Sequence, residues 1–418
     1  MNLLKPLLAA GLLALPLAAP AQAPARSQPA LAPAQYREDL TFFWQTVHDD
    51  YAYFDQKQTD WERVRARYLP QADTLRSRAA QVRLLETMLA ELYDNHATLG
   101  TNRPDSPRLV PSGSDVYAEW DGARAVVRDV RPGFGAALVG VQPGTEIVAV
   151  DGVPVAEAAR AFLPACLKTP DPAARTYALN VLLAGRHNAE RRWQLRQGGA
   201  EREVRPDQPR PLLEHISYPR RLESRRYGRT GYIRLHNSLG DNDLIAAFDS
   251  TLDALLDTRA LVLDLRDTPS GGNTTVARAI LSRFVSREQY YQQHELVGEE
   301  RASGVKRKWT ELVSPRGRRY PGRVVVLAGR WTGSMGEGLA IGFDALPQVT
   351  VVGTELARLY GAIYFYRLPN SGIGFSLPAE KLYHVNGTPR EAYVPKVLVP
   401  PAAPPTDAAL DKALQLLK

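Results

Sequence analysis

Ser334 stands at the place in this chain best suited to a nucleophile. It follows the apolar run Val324-Val325-Val326-Leu327 and the turn Ala328 to Gly333, and it precedes the small-residue stretch Met335-Gly336-Glu337-Gly338. That order predicts a buried strand, a glycine-containing turn and a helix that begins at the serine. At a helix start the first amides have no internal acceptor, and the dipole's positive end favours negative charge. Serine attack on a carbonyl generates such a charge. The same four residues, Ser334 to Glu337, also spell S-x-x-E, a capping box open to any helix. The glycine that precedes a hydrolase's elbow serine by two residues is missing, since that position is Thr332.

A second turn of similar design is Asp264-Leu265-Arg266-Asp267-Thr268-Pro269-Ser270-Gly271-Gly272-Asn273. A Gly-Gly turn at a strand's carboxyl end can aim a free amide at an oxyanion. It can equally be a plain turn followed by an Asn helix cap. A serine also needs a base. His96, in Asp94-Asn95-His96 at the end of a helical pattern, is one candidate, and His384 and His236 are its rivals. No lysine occurs between Lys308 and Lys381, which argues against a Ser-Lys dyad drawn from the segment after Ser334. No phosphate loop, HExxH motif or metal-ligand cluster is present, so neither cofactor nor metal is expected.

These residues need elements to position them. The 418 residues are 44% hydrophobic and 23% charged, an ordinary globular composition with room for two to three domains. The net charge of +7 is spread along the chain, which reads as solubility and not as a nucleic-acid groove. The cluster Arg301, Lys306, Arg307, Lys308, Arg316, Arg318 and Arg319 reads as a solvated loop. The single Cys166 excludes an intramolecular disulfide. Residues 1–21 have one cation, Lys5, an apolar run and the small-x-small pattern Ala19-Pro20-Ala21. They read as a removed export signal, too short and too rich in Ala and Pro to span a membrane stably. An exported protein without disulfides suits a bacterial periplasm or exterior.

Residues 22–33 form a Pro/Ala linker. From 34 to 104 the periodicity is helical, with Leu40, Phe43, Trp44 and Val47 on one face. From 105 to 208 short strands alternate with Pro-Gly, Asp-Gly and Gly-Gly turns. From 209 to 400 buried strands at 232–235, 260–265, 324–327 and 349–352 alternate with helices at 244–256, 274–284 and 335–346, which implies a layered α/β core. Residues 401–418 are a Pro-rich hinge and a short helix carrying Leu410, Ala413, Leu414 and Leu417 on one face.

In this order, four stretches resemble the carboxyl-terminal processing (tail-specific) serine proteases, and among them the tricorn-core branch. They are Gly135 to Ile147 followed by Val150-Asp151-Gly152, which is PDZ-like; LVLDLRDTPSGGN; VVVLAGRWTGSMGEGLA; and the closing VNGTPREAYVPKVLV. The resemblance implies a crotonase/ClpP-like α/β core, an inserted PDZ-like β domain at 105–208 and an N-terminal helical subdomain. It implies Ser334 as nucleophile, His96 as base and Glu391 as the acid that orients and stabilises the imidazolium. Gly271 or Gly272 and the Met335 amide fall on the oxyanion positions. Asn95 stands where the branch carries Ser beside the histidine, and it can link His96 to Glu391. A carboxylate there raises the His96 pKa, so kcat/KM is expected to rise through roughly pH 6–8. The implied partner is an extended polypeptide, held along a strand edge at Gly135–Gly140. The oligomeric state is left open. The rival reading is a non-catalytic peptide- or lipid-binding protein on the same fold, which need not keep a serine, a histidine and an acid within reach.

Overall fold

Continuous runs of Val, Leu and Ile bury on both faces, and here they form a parallel sheet. Its strand order is Val397–Leu398, Val349–Gly353, Arg323–Ala328, Ala260–Asp264, Thr230–Leu235 and Leu222–Tyr227. All pairings are parallel except the last, a hairpin. The computed structural model describes residues 31–209, 220–403 and 406–418. The export signal at 1–21 and most of the linker lie outside those residues. Helices Asp243–Asp253, Thr274–Leu281 and Met335–Asp344 cover one face of the sheet, with Phe248, Ile280, Leu339 and Phe343 buried against it. The C-terminal helix Ala408–Leu416 covers the other face and packs Leu410, Ala413 and Leu414 over Val262, Val325 and Val352. The α/β layering expected from the alternation of strands and helices is therefore present.

A second sheet, antiparallel, runs Thr98–Leu99, Gly374–Tyr383, Gln289–Leu296 and Lys308–Val313, with Ala362–Arg367 on the free edge of Gly374–Tyr383. It takes in part of the stretch read as a solvated loop. Lys308 lies in a strand, while Lys306 and Arg307 pair with Glu295 at 2.8 Å and Glu299 at 2.9 Å. The N-terminal helices Pro33–Asp50, Trp61–Tyr68 and Arg78–Ala90 share one core with Phe375 and Leu377 of this sheet. His96 is thereby tied to the same framework as the strands around it. Among the described residues, no helix is long and apolar enough to cross a membrane.

The third sheet is antiparallel and spans Val116–Asp121, Arg124–Val130, Glu146–Val150, Trp193–Gln197 and Ala200–Val204. The helix Pro172–Ala184 packs on it, and Val127, Ile147, Trp193 and Leu195 form its centre. Residues Gly135–Leu138 are a short helix, which overturns the expectation of a strand edge at Gly135–Gly140. The edge strands of this sheet are Val116–Asp121 and Ala200–Val204. Val116–Asp121 meets a side chain of the helix Pro172–Ala184. There Ala118 N–H donates to Asn180 Oδ1 at 3.0 Å and Ala118 O accepts from Asn180 Nδ2 at 2.9 Å.

Beneath this sheet Arg191 is buried between Asp115 and Asp207. Breaking a buried pair strands the remaining charge. Arg191→Met takes the cation from Asp115 and is expected to cost about 3–5 kcal/mol, read as a lowered denaturant midpoint.

Candidate functional site

The strands Ala260–Asp264 and Arg323–Ala328 lie side by side and parallel, so the loops leaving their carboxyl ends meet in one crevice. These are the loops singled out by sequence. They zip together by backbone: Thr268 N–H donates to Trp331 O at 2.9 Å and Gly333 N–H to Thr268 O at 3.2 Å. Ser334 follows, half-buried, with φ +51° and ψ −114°. A non-glycine residue there is strained, and such strain persists only where the surroundings enforce it. One visible restraint is the Ser334 N–H, which donates to Glu337 Oε2 at 2.8 Å, one half of the capping box.

Gly271 explains why the second loop needs glycine. Its φ is +63°, and a Cβ on it would fall 2.4 Å from Ser334 Cβ and 2.7 Å from the Met335 nitrogen. Gly272 abuts the Leu239 carbonyl, where a Cβ would fall 2.1 Å from the oxygen. The Gly271 N–H is occupied by Thr268 O at 3.2 Å. The Gly272 and Met335 amides have no acceptor among the described residues. They border the same cavity as Ser334 and can together receive an oxyanion. Gly271→Ala is expected to lower kcat by about 10²–10³, the loss seen when an oxyanion donor is removed, because the methyl group must push Ser334 and Met335 aside. A peptide-hydrolysis assay beside a melting curve separates this from unfolding.

His96 comes from the turn after the helix Arg78–Ala90. Asp94 Oδ1 accepts the His96 N–H at 2.8 Å, and Asp94 Oδ2 accepts the Tyr51 hydroxyl at 2.8 Å. The ring is buried, with Nδ1 2.6 Å from the Tyr360 carbonyl. A carbonyl only accepts, so Nδ1 carries the proton and Nε2 keeps its lone pair. Burial first, and then the nearby Arg390 charge, push the ring down to about 4, against the pull of the Tyr360 and Gly361 carbonyls. At neutral pH the ring is therefore an uncharged base. The expected rise in its pKa is not found, because burial lowers it and the charge beside it is positive.

Ser334, His96, Asn95, Gly272, Met335 and Arg390 all border one cavity of about 680 Å³. The rival histidines do not. His384 lies 3.5 Å from Asp344, and His236 lies 3.6 Å from Asp267. His294, not singled out by sequence, also lines the cavity, stacked on Trp309 between Glu311 and Glu380. Burial opposes its charge, but hydrogen bonds to Glu311 and Glu380 outweigh that and raise its pKa. Both His294 ring nitrogens thus face carboxylates, Nδ1 toward Glu380 and Nε2 toward Glu311, whereas His96 Nε2 has no carboxylate within ion-pair distance among the described residues.

Glu391 is not brought to the ring. Its Oε1 accepts from Gln56 Nε2 at 3.3 Å, and no described residue hydrogen-bonds it to His96 or Asn95. Its neighbour Arg390 faces the cavity instead. Sequence reasoning passed over Arg390, as it did the Tyr360 carbonyl, which no side-chain motif can signal.

Residues 229–397 match the model of Peptidase family S41, and residues 32–90 match that of the Tricorn protease C1 domain. No curated protein sequence matches the chain. Among solved structures, mature CPAF complexed with lactacystin is 17% identical with a TM-score of 0.57, over 92% of this chain and 97% of that one. The photosystem II D1 C-terminal processing protease is 20% identical with a TM-score of 0.56, over 91% and 97%. A putative peptidase from Parabacteroides merdae is 17% identical with a TM-score of 0.55, over 91% and 96%. Likeness at this identity speaks to the fold, whereas the two family models speak to the sequence. The two family models make the chain a serine peptidase, with residues 229–397 matching Peptidase family S41 and residues 32–90 matching the Tricorn protease C1 domain.

Proposed function

We propose that this chain is an exported serine endopeptidase acting on unfolded or extended polypeptides. One observation carries the reading. Ser334, strained at a helix start, shares a cavity with a neutral, buried His96 and with two amides that have no acceptor among the described residues. Ser334 Oγ attacks a peptide carbonyl while its proton passes to His96 Nε2. The oxyanion is received by the Gly272 and Met335 N–H groups. His96 then gives the proton to the leaving amine, and water hydrolyses the acyl-enzyme by the same route. No metal or organic cofactor enters these steps. The Tyr360 carbonyl fixes the ring, a task that the family resemblance assigns to Glu391 acting through Asn95.

The core is read as crotonase/ClpP-like and the sheet domain as PDZ-like. An extended substrate would add to the edge strand Val116–Asp121 and displace Asn180 from Ala118. The groove beside that edge shares Asn95, Val110, Pro111 and Leu359 with the Ser334 cavity, so a bound chain has a path between them. The test is incubation with an unfolded protein beside the Ser334→Ala variant, with the fragments read by mass spectrometry. Fragments from the parent alone support the proposal. Equal fragments from both, or none from the parent, overturn it.

A further inference from the structure

Beneath Ser334 and His96 lie two buried charges that the steps above do not use, Glu337 and Arg390. Glu337 is fully buried. Its Oε2 accepts the Ser334 N–H and its Oε1 accepts the Arg358 N–H, each at 2.8 Å. Arg390, also buried, donates from Nη2 to Leu359 O at 3.0 Å and to Gly361 O at 2.6 Å. The segment 358–361 is thus held by the Arg358 N–H on one side and by its carbonyls on the other. Within that clamp sits the Tyr360 carbonyl that receives His96 Nδ1. The two clamping groups approach to 3.9 Å, an ionic contact too long for a hydrogen bond.

We infer that Glu337 and Arg390 act as one positioning pair that sets the nucleophile and the base together, Glu337 through the Ser334 N–H and Arg390 through the carbonyls flanking the acceptor of His96. The inference rests on the reading of Ser334 and His96 as nucleophile and base. Its consequence concerns pH. The charged groups facing Glu337 are Arg390 from the turn Arg390–Ala392 and Arg358 from the loop, whose guanidinium turns to Glu355 at 3.4 Å. Burial pushes Glu337 up to about 7, against the opposing effects of Arg390 and the backbone N–H groups. Protonation removes the charge that holds the Ser334 N–H and leaves Arg390 unbalanced. Activity therefore falls as pH drops through about 7, where His96, near 4, is still neutral.

The test reads the rate at which a fluorophosphonate modifies Ser334 in the full chain, across pH and at two temperatures. The parent rate is expected to rise through about pH 7, with a midpoint that stays put on warming, as carboxyl ionisation does. An imidazole midpoint moves, and that result overturns the inference. Glu337→Gln is expected to lose about 10²-fold, the scale of a 1 Å misplacement, and to lose the rise near neutrality. Arg390→Lys keeps the charge but not the fork, and it is expected to lose a similar factor. Rates within about threefold of the parent in both variants, against that 10²-fold expectation, or the parent profile retained in Glu337→Gln, reduce the pair to a structural role. If Glu337→Gln does not fold, the parent midpoint and Arg390→Lys decide. Absence of any adduct at Ser334 in the parent overturns the catalytic reading itself, and the pairing with it.

Discussion

Ser334→Ala is expected to lower peptide hydrolysis by about 10⁶ in kcat, the scale of removing the nucleophile from a serine triad. The change deletes one oxygen and little else. The Ser334 N–H still reaches Glu337, and the Cβ that packs against Gly271 remains. The melting temperature should therefore stay with the parent's. A residual rate of about 10³–10⁴ over water is expected from the oxyanion donors and substrate binding. Ser334→Gly sharpens the test. It also removes the nucleophile, but it relieves a φ of +51°. Strain of this kind is worth about 1–3 kcal/mol, so this variant should be inactive yet more stable than Ser334→Ala. Hydrolysis by either variant at the parent's rate excludes Ser334 as the nucleophile. Equal stability of the two places the strain elsewhere.

How much of this was readable in advance varies by element, for physical reasons. The parallel strands were, because burial on both faces forces runs such as Val324 to Leu327 that carry their own signal. The second sheet was not. Gln289–Leu296 and Lys308–Val313 are rich in polar residues whose partners are distant in sequence, as in His294 with Glu380 and Tyr291 with Glu311. Gly135–Gly140 follows a strand and carries turn residues, yet its first four residues close a helical turn, and the edge strands are Val116–Asp121 and Ala200–Val204. At the site, both glycine loops and the Asp94-Asn95-His96 turn were legible as motifs. The choice between Arg390 and Glu391 was not. They are adjacent on a single 3₁₀ turn, and only the packing decides which one faces the cavity. The acceptor for His96 Nδ1 is a backbone carbonyl, which every residue has and no motif marks.

That difference decides the second large effect. His96→Gln is expected to lower kcat by about 10⁵–10⁶, near the loss on removing the base of a serine triad, with little change in stability because the Asp94 cap binds the His96 backbone N–H and not the ring. Glu391→Gln then separates two accounts of what orients the base. If the carboxylate stabilises the imidazolium, its removal lowers the His96 pKa and moves the acid limb of kcat/KM to lower pH. In the structure the ring donates to Tyr360 O and feels Arg390, and burial has already pushed it down to about 4. The neutral ring is the active form, and it is fully populated well above pH 4 with or without Glu391. Glu391→Gln is therefore expected to leave the position of the acid limb where it is in the parent and to keep most of the activity. A limb displaced to lower pH in Glu391→Gln, together with a loss as large as that of His96→Gln, shows that the carboxylate reaches the ring once substrate is bound, and the account built on the Tyr360 carbonyl fails.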